Sequence, residues 1–422
     1  MVNFKRIIFL SQYFSTKPYI NNGKKIVLGI ETSCDDTAVA IVDSDKNILG
    51  SRNFSIKNAQ IKLGGICPLV TQQIHRNYID KAINESMKDA GIRFYDLDAI
   101  AVTSRPGIVL CLRVGTDKAV NLAQKYNLPL IPIHHMRGHA LSGGLDKHKD
   151  LVYPFLTLLI SGGHALLAIG HSPVDFELIG KSDFNSPGEC LDKIGRKLGL
   201  LQLPEYKEYH TGAAIEEIAS KAKTIEEYTK YQIPMPSIKG TNFDFAHIKN
   251  SYITFLNKTP IEDIDLVSFC ASSQFLVTAH ICSKVHLALE TLFDKEINVK
   301  QLVVSGGVAS NQFIRGCLAK VCKIHSVEMI TPPKTLCTDN GEMIGWAGCE
   351  ILKYYENYKS SNEQKEIIYN IKDYIYAVGK ELIGKDSTNN WSPPKSNRKF
   401  VLTSLLPFSS DLKIKKKYKI TL

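Results

Sequence analysis

The feature of this sequence that most constrains its fold is an order of strands and helices that occurs twice. In each half, three short apolar segments of strand type come first, and helical and strand patterns then alternate. The predicted strands of the first half are residues 25–33, 37–43, 48–56, 98–103 and 130–133, and those of the second half are 154–161, 165–170, 176–181, 301–305 and 327–331. This alternation predicts mostly parallel sheets covered by helices, and therefore an α/β fold. The duplication predicts two similar lobes, with a central ligand cleft between them.

The length of 422 residues leaves room for about two domains. We expect an N-terminal lobe at residues 25–150 and a C-terminal lobe at residues 151–338, with an insertion near 200–260. Residues 339–375 are expected to form closing helices that return to the N-terminal lobe. Residues 376–422 are predicted to be a basic, partly disordered tail, because from residue 395 onward eight Lys and Arg residues stand against one acid.

Composition is that of a globular protein, with 44% hydrophobic and 22% charged residues. The formal net charge of +10 favours polyanionic partners such as nucleic acid without establishing contact with them. Ten cysteines without a Cys-x-x-Cys pair indicate free thiols in a reduced compartment. No run of about 18 apolar residues is found, so no membrane span is predicted.

The N-terminus has the character of an organelle transit peptide. Its first 30 residues contain five Lys and Arg residues and no acid, interspersed with apolar and hydroxyl residues. We predict that residues 1–24 direct the chain to the mitochondrial matrix. The alternative, a frayed terminus of a cytosolic protein, remains open at this stage.

Four glycine-bearing turns adjoin predicted strands or helices, at residues 29–37, 160–164, 305–311 and 337–342. Glycine lets a nucleotide approach the backbone closely, and free amides at a turn or helix N-terminus can hold a phosphate. For each motif taken alone, an ordinary turn is the favoured explanation. Two matching hairpins and a strand-Gly-Gly-helix turn in a duplicated fold together indicate a nucleotide site.

A pair of histidines, His135 and His139, begins a predicted helix directly after a strand. Four residues apart, they lie on one helical face and can reach one divalent ion, although a hydrogen-bonded pair without metal is an equal alternative. Zinc proteases carry a Glu after the first His, whereas this chain has Met136. Asp339 is the candidate third ligand, and it could also serve as a helix N-cap. Two His and one Asp suit zinc or iron.

Several motifs together resemble one family, the universal tRNA adenosine threonylcarbamoyltransferases, formerly named O-sialoglycoprotein endopeptidases, and in particular its mitochondrial branch. The resemblance covers about residues 26–355. The motifs that carry it are GIETSCDDTAVAIVD, GGICPLVTQQIHR, PGIVLCLRVG, HHMRGHA, LISGGHALL, GECLDKIGRKLGL, SGGVASNQFIR and LCTDNGEMIGWAG. The resemblance implies the duplicated fold of actin, sugar kinases and heat-shock ATPases, with a central nucleotide and metal cleft.

The same resemblance implies the site residues. One divalent metal ion per subunit, zinc or iron, would be held by His135, His139 and Asp339. The adenylate part of the substrate would be held by Leu159, Ile160, Ser161, Gly162, Gly163, Asp192, Gly212, Glu216, Ser310, Asn311 and Thr338. The resemblance identifies no general base.

The implied reaction moves a threonylcarbamoyl group from threonylcarbamoyl-adenylate to N6 of adenosine 37, in tRNAs that read codons beginning with A, and releases AMP. The implied partners are tRNA, the synthase that makes the adenylate, and a second copy of the chain in a homodimer; no membrane is implied. Three alternatives are a metalloprotease, a sugar kinase or ATPase of the same fold group, and an inactive tRNA-binding relative.

The sequence departs from the family pattern at four places. The HxEAH helix has Arg137 and Gly138 in place of Glu and Ala, and the Pro-Gly-Gly-Pro turn is replaced at residues 210–213 after an insertion at 201–209. Residues 184–185 and 243–249 also differ. Because the three metal-ligand positions and Asn311 match, we expect an active enzyme.

Overall fold

The computed structural model describes residues 23–55, 67–238, 240–357, 374–391 and 402–406. Nearly all of the predicted transit peptide lies outside these residues. Within them, the strands are β1 (Ile26–Glu31), β2 (Asp36–Asp43), β3 (Ile48–Ser55), β4 (Ala99–Arg105), β5 (Leu130–His134), β6 (Phe155–Ile160), β7 (Ala165–Gly170), β8 (Phe176–Lys181), β9 (Gln301–Ser305), β10 (Glu328–Ile330) and β11 (Lys385–Asp386).

The α-helices of the same residues alternate with these strands, as the sequence predicts. They are α1 (Pro68–Ala90), α2 (Val109–Tyr126), α3 (His135–Leu141), α4 (Pro187–Lys197), α5 (Thr211–Ala219), α6 (Ile225–Thr229), α7 (Phe245–Lys258), α8 (Leu266–Asp294), α9 (Gln312–Ile324), α10 (Lys334–Cys337) and α11 (Gly341–Asn357).

The first compact unit consists of Met1–His135 and Asn340–Lys380. Its sheet has the strand order β3-β2-β1-β4-β5, with β1 antiparallel to β2 and parallel to β4. Every residue of β1 and β2 is buried, as expected for central strands that are covered on both faces. Helix α11 packs so closely that a Cβ at Gly29 would lie 2.3 Å from the nitrogen of Gly345. Glycines at these two positions therefore allow backbone to pack on backbone.

The second compact unit consists of Met136–Asp339 and Glu381–Leu422. Its sheet has the order β10-β9-β6-β7-β8-β11. Strands β6, β7 and β8 form an antiparallel meander, and β9 and β10 extend the other side of β6 in parallel. Apart from the added β11, this is the strand order of the first sheet, so the two units share one topology. The predicted α/β duplication is confirmed.

The centre of the second unit is helix α8, which is 29 residues long and buried on nearly all sides. Its length and composition would suffice to cross a membrane, but 89% of its most apolar window is buried inside the protein. That burial is typical of a core helix. Phe269, Phe275 and Val285 belong to the hydrophobic core that α8 forms with the sheet.

The region predicted as a basic tail is not a tail throughout. Strand β11 pairs in parallel with β8, and Ile383 and Trp391 are buried. A short 3₁₀ segment, Leu402–Leu405, also packs into the core of the second unit. The tail was predicted from the count of charges in this region. That count gave too little weight to the apolar residues of the same region, which pack into the core. The remaining residues of the predicted tail lie outside the described part.

Candidate active site

In the second unit, the predicted ligands His139 and Asp339 lie together. His139 Nε2 is 3.2 Å from Asp339 Oδ1, and the His139 side chain is 6% exposed. Helix α3 follows β5 without a break, which fixes the start of the helix at the edge of a sheet. The Ser142 hydroxyl donates to the His139 carbonyl at 2.7 Å and secures the end of α3. Asp339 follows the short helix α10.

In the first unit, His135 is held by a buried carboxylate. Its Nδ1 is 3.0 Å from Glu31 Oε2, and Ser33 Oγ lies 3.2 Å from the same nitrogen. Glu31 also accepts hydrogen bonds from the Thr103 hydroxyl and from the Ser33 amide. A carboxylate can only accept, so the ring proton of His135 is on Nδ1 and the lone pair is on Nε2. This is the arrangement by which second partners orient metal-binding histidines in proteins.

Within the second unit, the spacing of His139 and Asp339 fits two ligands of one divalent metal. Ligand atoms on a tetrahedral zinc with bonds of about 2.05 Å are separated by about 3.3 Å, close to the 3.2 Å between His139 Nε2 and Asp339 Oδ1. His135 begins the same helix one turn before His139, so the helix presents both rings on one face. Burial raises the pKa of the neighbouring Cys337 thiol, which therefore stays neutral and is a poor metal ligand.

The turn after β6, residues 161–163, is organised by one hydroxyl. Ser161 Oγ accepts from the amides of Gly163 and His164 at 3.2 and 3.0 Å. The N-terminus of α4 packs against the turn, since Ser186 Oγ donates to the Gly162 carbonyl at 2.6 Å. A Cβ at Gly162 or Gly163 would meet no atom within 4 Å, so open space faces both glycines.

The loop between β9 and α9 lies against the end of β6. Gly306 has a φ of +99°, and a Cβ there would lie 2.4 Å from the Ile160 carbonyl oxygen. Asn311 caps α9 by accepting from the Ile314 amide at 3.0 Å, and its own amide donates to Gln274 of α8 at 3.0 Å. Ser310 Oγ donates to the Gly307 carbonyl at 2.7 Å. The glycine turn and the loop therefore meet at the carboxyl ends of two adjacent parallel strands, where α/β sheets bind ligands.

Two predicted acids lie on the neighbouring helices. Glu216 of α5 accepts from the Gln312 amide at 2.6 Å, which places its carboxylate at the N-terminus of α9. Asp192 of α4 accepts instead from Arg196 at 2.7 Å, on the exposed face of its own helix. Helices α4 and α5 pack through Gly195, where a Cβ would meet Thr211 at 2.2 Å, next to the predicted Gly212.

The structure therefore brings most of the predicted residues to one edge of the second unit, but not all in the same role. Leu159 and Ile160 are buried in the core and can offer only backbone groups. Thr338 is exposed beside Asp339. Arg137, which replaces the usual Glu, lies over the Phe176 ring at 5.8 Å and donates to the Ile383 carbonyl at 3.3 Å. Its charge is therefore held by β8 and the C-terminal segment.

Three supporting residues were not found from the sequence. Glu31 was read as part of a glycine turn, although an acid at the end of an apolar strand could have indicated a buried partner for a cation. Gln274 is a polar residue in the middle of a long buried helix, a position that calls for a hydrogen-bond partner. Ser186 precedes Pro187, a common pattern at the start of a helix, but its bond to Gly162 is tertiary.

Comparison with known proteins decides the family. A family model described as tRNA N6-adenosine threonylcarbamoyltransferase matches residues 47–346. The chain belongs to this family. A probable mitochondrial tRNA N6-adenosine threonylcarbamoyltransferase of Caenorhabditis elegans is 42% identical over 369 residues, covering 86% of this chain and 85% of the relative. The mitochondrial enzyme of that name from Homo sapiens is 39% identical over 342 residues, covering 78% and 81%.

The predicted family, the enzyme class and the mitochondrial localisation are thereby confirmed: the chain is a mitochondrial transferase. Among solved structures, the HypF protein of T. kodakarensis aligns with a TM-score of 0.50 at 15% identity, covering 79% of this chain and 48% of that one. This likeness concerns the fold alone.

Proposed function

We propose that this enzyme transfers the threonylcarbamoyl group from threonylcarbamoyl-adenylate to N6 of adenosine 37 and releases AMP. Membership of the family makes it a tRNA-modifying enzyme. The donor, the position of the adenosine and the choice of mitochondrial tRNAs reading codons that begin with A are our proposal. The observation that carries it is the pairing of His139 with Asp339 in the same unit as the glycine loop of β9.

The residues proposed to hold one zinc or iron ion are His135, His139 and Asp339. Glu31 keeps His135 in the tautomer that offers Nε2 as ligand. When bound, a divalent metal supplies Lewis-acid polarisation of phosphoryl or carbonyl oxygen.

The residues proposed to bind the adenylate lie at the carboxyl ends of β6 and β9. The glycine turns at residues 161–163 and 306–307 allow phosphate oxygens to approach the backbone, because a Cβ at Gly162, Gly163 or Gly307 would meet no atom within 4 Å. Carboxylates accept more than one hydrogen bond, so Glu216 can serve a ribose hydroxyl while it caps Gln312. Asp192 and Gly212 are also proposed to contact the ribose. Asn311, Ser310 and Thr338 are proposed to contact the rest of the adenylate.

The chemical step needs orientation more than proton abstraction. The N6 amine attacks the carbamoyl carbon, a nitrogen–carbon bond forms, and the bond from that carbon to the phosphate oxygen breaks as AMP leaves with its electron pair. The amine gives up one proton, which the phosphate of the departing AMP or water accepts. Holding two reactants in this geometry can lower a barrier by roughly 7–11 kcal/mol. We assign no side chain as general base.

Partners follow from the same proposal. A synthase that makes threonylcarbamoyl-adenylate supplies the donor, and the enzyme acts as a homodimer. The positive net charge suits binding of tRNA phosphates, so affinity for tRNA is expected to fall with salt.

The test is a transfer assay with protein from residue 24 onward, threonylcarbamoyl-adenylate and an unmodified tRNA carrying adenosine 37. Mass spectrometry of the nucleosides measures the product. We expect His139→Ala to lower the rate by about 10²–10³-fold, because the Lewis-acid contribution of a metal is worth several kcal/mol. The matched control is His171→Ala, since His171 is an exposed histidine of the same unit whose ring lies 3.4 Å from the Glu177 carboxylate.

The competing functions give different results in the same preparation. Peptide cleavage that a chelator abolishes would favour a protease, although Met136 occupies the place of the required Glu. ATP turnover without tRNA would favour a kinase or ATPase. Binding of tRNA with no product from metal-loaded wild type would overturn the proposal in favour of an inactive relative.

A further inference from the structure

A second cluster of metal-binding side chains lies in the same unit, where the end of α9 meets α8. His286 and Glu290 are four residues apart on α8, and His325 follows the last residue of α9. We propose that these three residues form a second site for a divalent cation of the zinc type. This site does not depend on the proposed function.

The three side chains are close and shielded from solvent. His286 Nδ1 is 2.8 Å from His325 Nε2, and His325 Nδ1 is 3.5 Å from Glu290 Oε1. One ligand atom from each residue lies within 4.8 Å of the others. The side chains of His325 and Glu290 are 6% and 8% exposed.

The chemistry of the set suits zinc. Two imidazoles and one carboxylate, with a fourth position open, are a ligand set that zinc accepts in proteins. His325 presents Nε2 to His286 and Nδ1 to Glu290, and one imidazole binds an ion through a single nitrogen. Binding of one ion by all three residues therefore replaces one of these two contacts, starting from ligand atoms that lie within 4.8 Å of one another. Spacing of four residues on α8 already presents His286 and Glu290 on one face.

A pocket gives the cation an entry path. It has a volume of about 800 Å³, and Glu290 and His325 are part of its lining. The other charged lining residues are Asp294, Glu296 and Lys300. Three carboxylates against one ammonium give this pocket a net negative charge, which favours entry of a divalent cation.

On the inner side the cluster ends at neutral thiols. Cys282 precedes His286 by one turn of α8, and Cys322 precedes His325 by nearly one turn of α9. Burial raises the pKa of Cys322 to about 12, and it raises that of Cys282 as well. The ligand atoms that lie within 4.8 Å of one another are those of His286, Glu290 and His325, so these three residues define the ligand set.

The test counts zinc in the full-length chain after removal and reloading of metal. His139→Ala combined with Asp339→Ala removes two residues of the first site. We expect this double variant, dialysed against a weak chelator, to retain one zinc per chain by elemental analysis. Adding His286→Ala is expected to weaken that binding by at least about 100-fold, more than loss of a supporting partner costs. Cobalt in place of zinc should give the visible absorption of a tetrahedral site in the double variant, and this absorption should be lost when His286→Ala is added.

Controls separate loss of the ligand from loss of the fold. Glu290→Gln keeps the side-chain volume and is expected to weaken zinc binding while the circular dichroism stays that of wild type. His171→Ala, at an exposed His and Glu pair without a third ligand, should leave the zinc content unchanged. The proposal is overturned if the folded double variant binds no zinc, or if His286→Ala and Glu290→Gln leave its zinc unchanged. The cluster would then be a hydrogen-bonded triad only. Because zinc content is measured without substrate, failure of the transfer assay would not affect this result.

Discussion

At the residue scale, the two histidines of α3 differ in the carboxylate that each one meets. Glu31 fixes the proton of His135 on Nδ1, whereas Asp339 faces Nε2 of His139. Glu31 therefore orients the His135 ring, whereas Asp339 and His139 are both proposed metal ligands. The spacing of the histidines in the sequence indicates a common face but does not assign these roles, which depend on contacts over 104 and 200 residues.

A different histidine, His280 of α8, makes stability depend on pH. It is fully buried, its Nε2 accepts from the Asp244 amide at 2.9 Å, and burial lowers its pKa to about 3. Between pH 3 and 6.5 the unfolded chain binds a proton that the folded imidazole does not bind. Stability therefore falls as pH decreases below 6.5. Relative to pH 8, we expect a loss of about 2 kcal/mol at pH 5 from this group.

The measurement is urea unfolding of wild type and His280→Gln at pH 8 and pH 5. Gln keeps an acceptor for the Asp244 amide but has no group that titrates in this range. Wild type should lose about 2 kcal/mol more than the variant between the two pH values. Equal losses would show that His280 does not remain neutral in the folded protein.

At the element scale, the loop between β9 and α9 contains a matched pair of glycines. Gly306→Ala is expected to lower the free energy of unfolding by at least about 1–3 kcal/mol, because φ is +99° and the new Cβ would collide with the Ile160 carbonyl. Gly307→Ala meets no atom within 4 Å and should change stability by less than about 0.5 kcal/mol. Denaturant unfolding of both variants tests this. Similar losses in the two would contradict the close approach of loop and strand.

Gly307→Ala has a second use, because a methyl group there would project into the space proposed for the phosphate. Isothermal titration with AMP should then show weaker binding by a variant whose stability is unchanged. The two glycines are neighbours in the sequence, and only the structure shows that one is needed for folding and the other faces open space.

The sequence predicted elements well where periodicity was strong and poorly where it was broken. Strands such as β6 and β9 are short apolar runs with glycine after them, and both were found. Helices α6 and α7 lie in a stretch that was read only as an insertion, although Thr224 and Asp244 cap them. Strand β11 has two exposed residues and no apolar signal of its own. Its pairing depends on tertiary contacts, which local sequence does not encode.

For the candidate site, residue types were predictable and partners were not. His135 and His139 stood out because their spacing of four residues places both rings on one helical face, and Asp339 because it can complete a His, His, Asp ligand set. Leu159 and Ile160 were assigned to the site from the family resemblance. Because their side chains are buried, only their backbone groups could contact a ligand. Contacts such as Gln274 with Asn311 join residues that are far apart in sequence, so no local pattern could reveal them.

At the scale of the whole molecule, each unit is built from two separate stretches of chain. After Asp339 the chain leaves the second unit, contributes α11 to the first, and returns at Glu381. The returning stretch buries Ile383, Trp391 and three leucines, Leu402, Leu405 and Leu406. Lys320 donates to the carbonyls of Leu405 and Leu406 at 2.6 and 3.0 Å. The second unit is therefore completed only by the end of the chain.

Because the C-terminal stretch completes the second unit, its removal is expected to destabilise the protein. A chain that stops after Lys380 loses five buried apolar side chains, each worth about 1.5–3 kcal/mol, a sum comparable to the whole stability of a typical domain. We expect it to unfold or aggregate at 25 °C. A chain that stops after Leu406 keeps all five and loses only residues 407–422, so its thermal midpoint should match that of the full chain. If the shorter chain melted at the wild-type temperature, the C-terminal stretch would be dispensable for the second unit. If instead both truncations failed, residues 407–422 would carry a structural role beyond their lysines.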